Sequence, residues 1–115
     1  MNPALPPDVI EEAIMAFDAG NHAWGRYRHF VLSASPELLA VSTAEVREAL
    51  AETAISVVDA QAGDYTPLLD GLRRTLAALE RYRARLSGDA QLQELEEAAG
   101  DFAEAIALLA GEAQR

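Results

Sequence analysis

The chain has 115 residues, a length that one domain accommodates. Half of the residues are hydrophobic and 24% are charged, which is too apolar for a disordered chain. A formal net charge of −10 lacks the basic footprint that nucleic-acid binding requires, and the absence of cysteine removes disulfides, thiolate metal sites and cysteine nucleophiles.

Alternating strand patterns are missing, and apolar residues recur at helical spacing along nearly the whole chain. Residues 1–7 read as a flexible N-terminal segment ahead of a single helical domain over 8–115. Asp8, with Glu11 three residues on, has the form of a capping box. Ile10, Ile14, Phe17, Trp24 and Val31 share one face, so the first helix is expected over about 8–32. It should end at Ser33-Ala34-Ser35-Pro36, because the residue before proline disfavours helical backbone. Such a helix spans about 37 Å by its rise, and a helix that long could swap as an arm into a second copy. Ala13 and Gly20 beside its seam would admit another helix closely.

A short turn follows at Pro36–Ala40. Ser42 and Glu45 form a second capping box, opening a helix over about 43–59 with Val46, Leu50, Thr53, Ala54 and Val57 inward. Gly63 can supply a left-handed stop. Thr66-Pro67 opens a helix over about 67–86, with Leu69, Leu72, Leu76, Leu79 and Leu86 inward and Arg83 interrupting them. Ser87-Gly88-Asp89 reads as a tight connection, with Asp89 as a cap. The last helix is expected over about 90–110, where Leu92, Leu95, Ala99, Phe102, Ile106 and Leu109 make a heptad seam. Long helices joined by short loops imply an all-α fold, an antiparallel up-down four-helix bundle that is also a candidate dimer.

The densest chemistry is His22-Ala23-Trp24-Gly25-Arg26-Tyr27-Arg28-His29-Phe30. Regular helical spacing puts Asp18, His22, Arg26 and His29 in one stripe. Arginine, tryptophan and tyrosine are the residue types enriched at interface hot spots. Trp24, Arg26, Tyr27, Arg28 and His29 are therefore candidate partner-binding residues. Arg74 and Arg81 join them as an outward stripe on the third long helix, opposite in sign to Glu97 and Glu104 on the fourth. The expected function is a non-enzymatic interaction protein, a regulator, adaptor or chaperone-like subunit. Its partner would be another protein or a second copy of itself, with no cofactor, metal or nucleic acid. No apolar run approaches the ~18 residues of a membrane span, and Met1–Asp8 shows no signal-peptide pattern, so a cytoplasmic setting is expected.

Two resemblances supply alternative expectations. His22 followed by Gly25 and Arg26, in an acidic helical chain of this length, resembles histidine phosphotransfer domains. That resemblance implies a phosphoryl-accepting His22. The family's order of basic residue and glycine is reversed here, and the histidine lies on the first helix. Glu45-Val46-Arg47-Glu48 is similar to the Glu-x-x-Glu pair of all-helical nucleotide pyrophosphatases. This implies a magnesium-dependent hydrolase using Glu45, Glu48 and Asp101. The matching second pair is absent, since Glu97 and Asp101 stand four apart and Ala98 stands three before Asp101.

Overall fold

The structure is a computed structural model that describes residues 5–86 and 92–111. Among these residues it is all-helical. The elements are α1 (Pro7–Arg26), a π turn (Tyr27–Val31), a 3-10 turn (Leu32–Ala34), the short α2 (Pro36–Leu39), α3 (Ala44–Gln61), α4 (Thr66–Arg85) and α5 (Gln93–Leu109). The extents are 48 × 27 × 20 Å, so the long helices lie side by side in a layer about two helix diameters deep. Among the described residues no helix is long and apolar enough to cross a membrane.

The helix starts follow proline more than side-chain caps. Pro7 occupies the first turn of α1, where its missing N–H costs nothing, and the Pro6 carbonyl accepts from Val9 and Ile10. Asp8 is thus inside the first turn, where it complements the helix dipole, and is not the cap that the sequence suggested. Leu5, expected in the N-terminal segment, packs against the core; residues 1–4 of that segment lie outside the described residues. At α3, Ser42 Oγ accepts from the Ala44 N–H at 3.2 Å. Glu45 does not return the bond and turns to α4 instead. The α3 stop does form at Gly63, whose φ is 106°. Asp64 N–H donates to Asp59 O and Gly63 N–H to Ala60 O, the paired bonds of a Schellman ending. The expected Ser87–Asp89 connection and Asp89 cap lie outside the described residues.

Helix pairing is uneven. The closest contacts join α1 to α5 and α3 to α4; α4 meets α5 less extensively, and α1 touches α3 thinly. Small residues set the closest approaches. Ala13, Gly20 and Ala23 of α1 and Ala98 and Ala105 of α5 are all buried. A Cβ on Gly20 would stand 2.5 Å from a Phe102 ring carbon, so Phe102 fills the space that glycine vacates. The close approach at Ala13 and Gly20 is thus spent within the chain, and α1 lies along α5 and does not project as an arm. The α5 seam also differs from the expected one. Leu95, Phe102 and Leu109 are buried as read, but Ala98 and Ala105 lie deeper than Ala99 and Ile106.

The α3–α4 contact works the same way. A Cβ on Gly71 would meet Thr53 Oγ1 at 2.6 Å. Thr53 donates its hydroxyl to Ala49 O, so the Thr75 hydroxyl is left to donate to Thr53 Oγ1 at 3.0 Å. Both polar groups are satisfied in a fully buried position. Ala54, expected inward, is exposed, and Ser56 takes the inward place with its hydroxyl on Thr53 O. On α4, Leu72 and Leu79 are buried as expected, with Leu68 and Tyr82 beside them, whereas Leu69, Leu76 and Leu86 are only partly covered.

Candidate functional site

The stretch that the sequence singled out becomes the end of α1 and the π turn after it. In an α-helix Val31 would lie under Tyr27. Here the Leu32 N–H donates to Tyr27 O, five residues back, which adds one residue to the turn. The extra residue brings Leu32 into the core and leaves Val31 half-covered. It also interrupts the constant helical step on which the expected common face of His22 and His29 rests. The Ser33 hydroxyl donates to the His29 carbonyl at 2.5 Å, satisfying an acceptor where the ladder changes step.

Buried aromatic rings hold this turn in place. Tyr27 and Tyr82 share a hydroxyl–hydroxyl hydrogen bond of 2.5 Å, fully buried. The Trp24 ring lies 5.4 Å from Tyr27 and 5.7 Å from Tyr82, edge-on to the latter. Burial first, and then the shared hydrogen bond, push the Tyr27 hydroxyl far above its ordinary range; burial raises Tyr82 as well. The expectation that Trp24 and Tyr27 face a partner is therefore corrected. Both are core residues that anchor the turn from within, because the helix face carrying them packs against Tyr82 of α4.

The residues between them are outside. Arg26 reaches α5 and donates to Glu97 at 2.7 Å, so it leaves the His22 stripe. Burial, followed by the neighbouring Glu97 charge, raises the Asp101 carboxyl on the same helix. Arg28 and His29 are exposed, and neither makes an ion pair among the described residues. The His29 ring stands edge-on to Phe30 at 4.7 Å. Phe30 is 66% exposed and Leu39 of α2 is 59% exposed. A cleft of about 460 Å³ opens here, with Arg28, His29, Leu32 and Leu39 among its walls. Phe30 and Leu39 were not among the sequence-derived candidates.

The arginine stripe is not free either. Arg81 grips Glu45 through Nε and a terminal nitrogen, at 3.0 and 2.9 Å. Its guanidinium holds the Glu45 carboxyl below the usual range. Arg74 lies 3.7 Å from Glu52, and Arg85 donates to Ser42 O while its guanidinium sits 6.0 Å from the Tyr82 ring centre. These arginines tie α4 to the start and middle of α3, so the stripe is interleaved with acids from the neighbouring helix. Exposed pairs of this kind contribute about 0–1 kcal/mol each. Arg83, expected on the seam, is half-buried and lies 3.9 Å from Glu96.

The alternative sites come out differently. His22 is exposed on α1. Glu45 is engaged by Arg81, Glu48 is exposed on α3, and Asp101 belongs to α5. No group of three metal-ligating side chains converges among the described residues. In comparisons with protein-family models, curated proteins and solved structures, nothing matches this chain.

Proposed function

We propose that this chain is a small helical interaction protein, a regulator, adaptor or chaperone-like subunit, that works through protein–protein contact and self-associates. The observation that carries the reading is the surface at the π turn. Exposed Leu39 borders a cleft with Arg28 and His29, exposed Phe30 stands beside His29, and the turn itself is fixed from below by Trp24, Tyr27 and Tyr82. Aromatic and arginine side chains on a rigid support are the usual anchors of a protein interface. In this reading the four long helices form an antiparallel up-down bundle. The neighbour relations α1–α3–α4–α5–α1 are the cyclic order such a bundle requires. The test uses Phe30→Ala and Arg28→Ala in the full chain. Loss of a co-purifying partner, with helix content unchanged, is the expected result. A partner retained by both variants rules out this surface.

A second reading is favoured by the exposure of His22: phosphoryl transfer through its imidazole. Labelling by a small phosphodonor that disappears in His22→Gln would support it, and an unlabelled wild-type chain would remove it. The magnesium-hydrolase reading has weaker footing, since Glu45 would have to release Arg81 to bind a cation.

A further inference from the structure

α3 is apolar on two sides. Val46, Leu50 and Ala60 are buried against the rest of the chain, while Ile55 and Val58 are 75% and 69% exposed, with Ala51 and Ala54 exposed beside them. A helix apolar on both sides is ordinarily covered on both sides. Ala51 and Ala54 of the uncovered side line the seam with α1, while Ile55 also borders a cleft toward α4 beside Glu52 and Asp59; the α1 seam opens into two clefts. At one end Ile10 and Ile14 face Ala60–Gly63, with Glu11 on the wall, in a cleft of about 450 Å³. At the other end Trp24 and Leu50 form the floor of a cleft of about 300 Å³, whose charged walls are Arg28 and Arg47. Neither arginine has an ion-pair partner among the described residues, and neither does Glu11. Asp18, seven residues beyond Glu11 on the same side of α1, is likewise unpaired there. The face thus carries two arginines at one end and Glu11 at the other, with Asp18 and the apolar side chains of α3 between them.

We infer that this α1–α3 face is the interface with a second copy of the chain, the two copies related by a two-fold axis passing near Ile55 and Val58. An isologous contact pairs each residue i with j and j with i. A two-fold through the apolar middle therefore lays the Arg28–Arg47 end of each copy over the Glu11 end of the other. The same operation covers the exposed apolar side of α3 in both copies at once. A chain carrying a net charge of −10 repels its own copies over most of its surface; this polarised face is where that repulsion turns to attraction. The arrangement rests on the self-association proposed above and specifies where it occurs.

Light scattering after size exclusion tests it with the full chain. Wild type is expected at twice 12.3 kDa, with a dimer that weakens as salt rises. The double variant Ile55→Asp/Val58→Asp is expected to associate about thirtyfold less tightly or worse, as for loss of interface hot spots. Its helix content should be unchanged, because both side chains are exposed in one copy. Arg28→Glu/Arg47→Glu should weaken the dimer, and adding Glu11→Arg should restore it in part. A wild-type chain that runs at 12.3 kDa at every concentration overturns self-association and this interface with it. A dimer that survives Ile55→Asp/Val58→Asp unchanged overturns this interface and leaves self-association standing on another surface.

Discussion

Two sides of α1 show opposite solutions to the same problem. Toward α5 the helix carries Ala13, Gly20 and Ala23, and the partner answers with Ala98, Ala105 and one large ring, Phe102, seated over the glycine. Toward α3 it carries Ile14, Asn21 and Arg28, and the two helices stand apart with clefts between them. Side-chain size sets interaxial distance, so the alanine–glycine side closes and the side with larger or polar residues stays open. The closed side supplies stability to one chain. The open side leaves apolar surface uncovered, which marks an interaction surface more often than an accident.

The largest expected effect breaks the closed side. Phe102→Ala should cost about 3–5 kcal/mol, the usual loss for a buried phenylalanine, read from the denaturant midpoint. Its counterpart on the open side, Ile55→Ala, should move the midpoint of a monomeric sample by no more than about 0.5 kcal/mol. Equal costs would mean that the two sides are equally sealed. Gly20→Val should destabilise by about 1–3 kcal/mol or more through overpacking against Phe102. Gly100→Ala makes the sharper contrast. It lies within α5 with nothing within 4 Å of an added Cβ, so it should stabilise by about 0.5–1 kcal/mol.

Next comes the hub beneath the π turn. Tyr82→Phe strips the partner from the buried Tyr27 hydroxyl and should cost about 1–3 kcal/mol. The folded state raises both tyrosine pKa values above their ordinary 10.0, which means that it holds these protons more tightly than the unfolded chain does. Their contribution is fully present below pH 10 and is lost as pH rises beyond it. Wild-type stability should therefore fall steeply in alkali, and a pH series of unfolding curves should show Tyr82→Phe falling less steeply. The smallest effect belongs to the exposed Arg81–Glu45 pair. Its lowered carboxyl pKa means a contribution present above pH 4.5 and lost as pH falls below it. Glu45→Gln should leave the midpoint at neutral pH nearly unchanged.

The order and approximate limits of the long helices were legible because period and proline placement carry them. The Leu72, Leu79, Leu95, Phe102 and Leu109 positions were found by spacing alone. Other features escaped for physical reasons. Helical periodicity assumes a constant step, so the extra residue at Tyr27–Val31 misplaced Val31. Residue-type statistics made Trp24 and Tyr27 look like contact residues, although only their neighbours decide whether an aromatic ring is anchor or core. Arg74 and Arg81 read as a free stripe because their partners, Glu52 and Glu45, lie on another helix, which no local pattern displays. The two-sided apolar character of α3 was in the sequence all along. Ile55 and Val58 fall off the face of Val46, Leu50 and Thr53, and that mismatch is the signal that could have found the open side.

Trp24 gives the molecule a built-in optical reporter. It is the chain's one tryptophan, it is buried, and its indole N–H has no hydrogen-bond partner among the described residues. An indole in such surroundings emits toward the blue, and tyrosine rings 5.4 and 5.7 Å away are close enough to pass their excitation to it. Exciting Tyr27 and Tyr82 should thus yield tryptophan emission while the turn is intact. Loosening of the turn should appear as a red shift and a return of tyrosine emission. Because Trp24 also floors one cleft of the α1–α3 face, the same signal should respond when that face is covered, without any label attached to the protein.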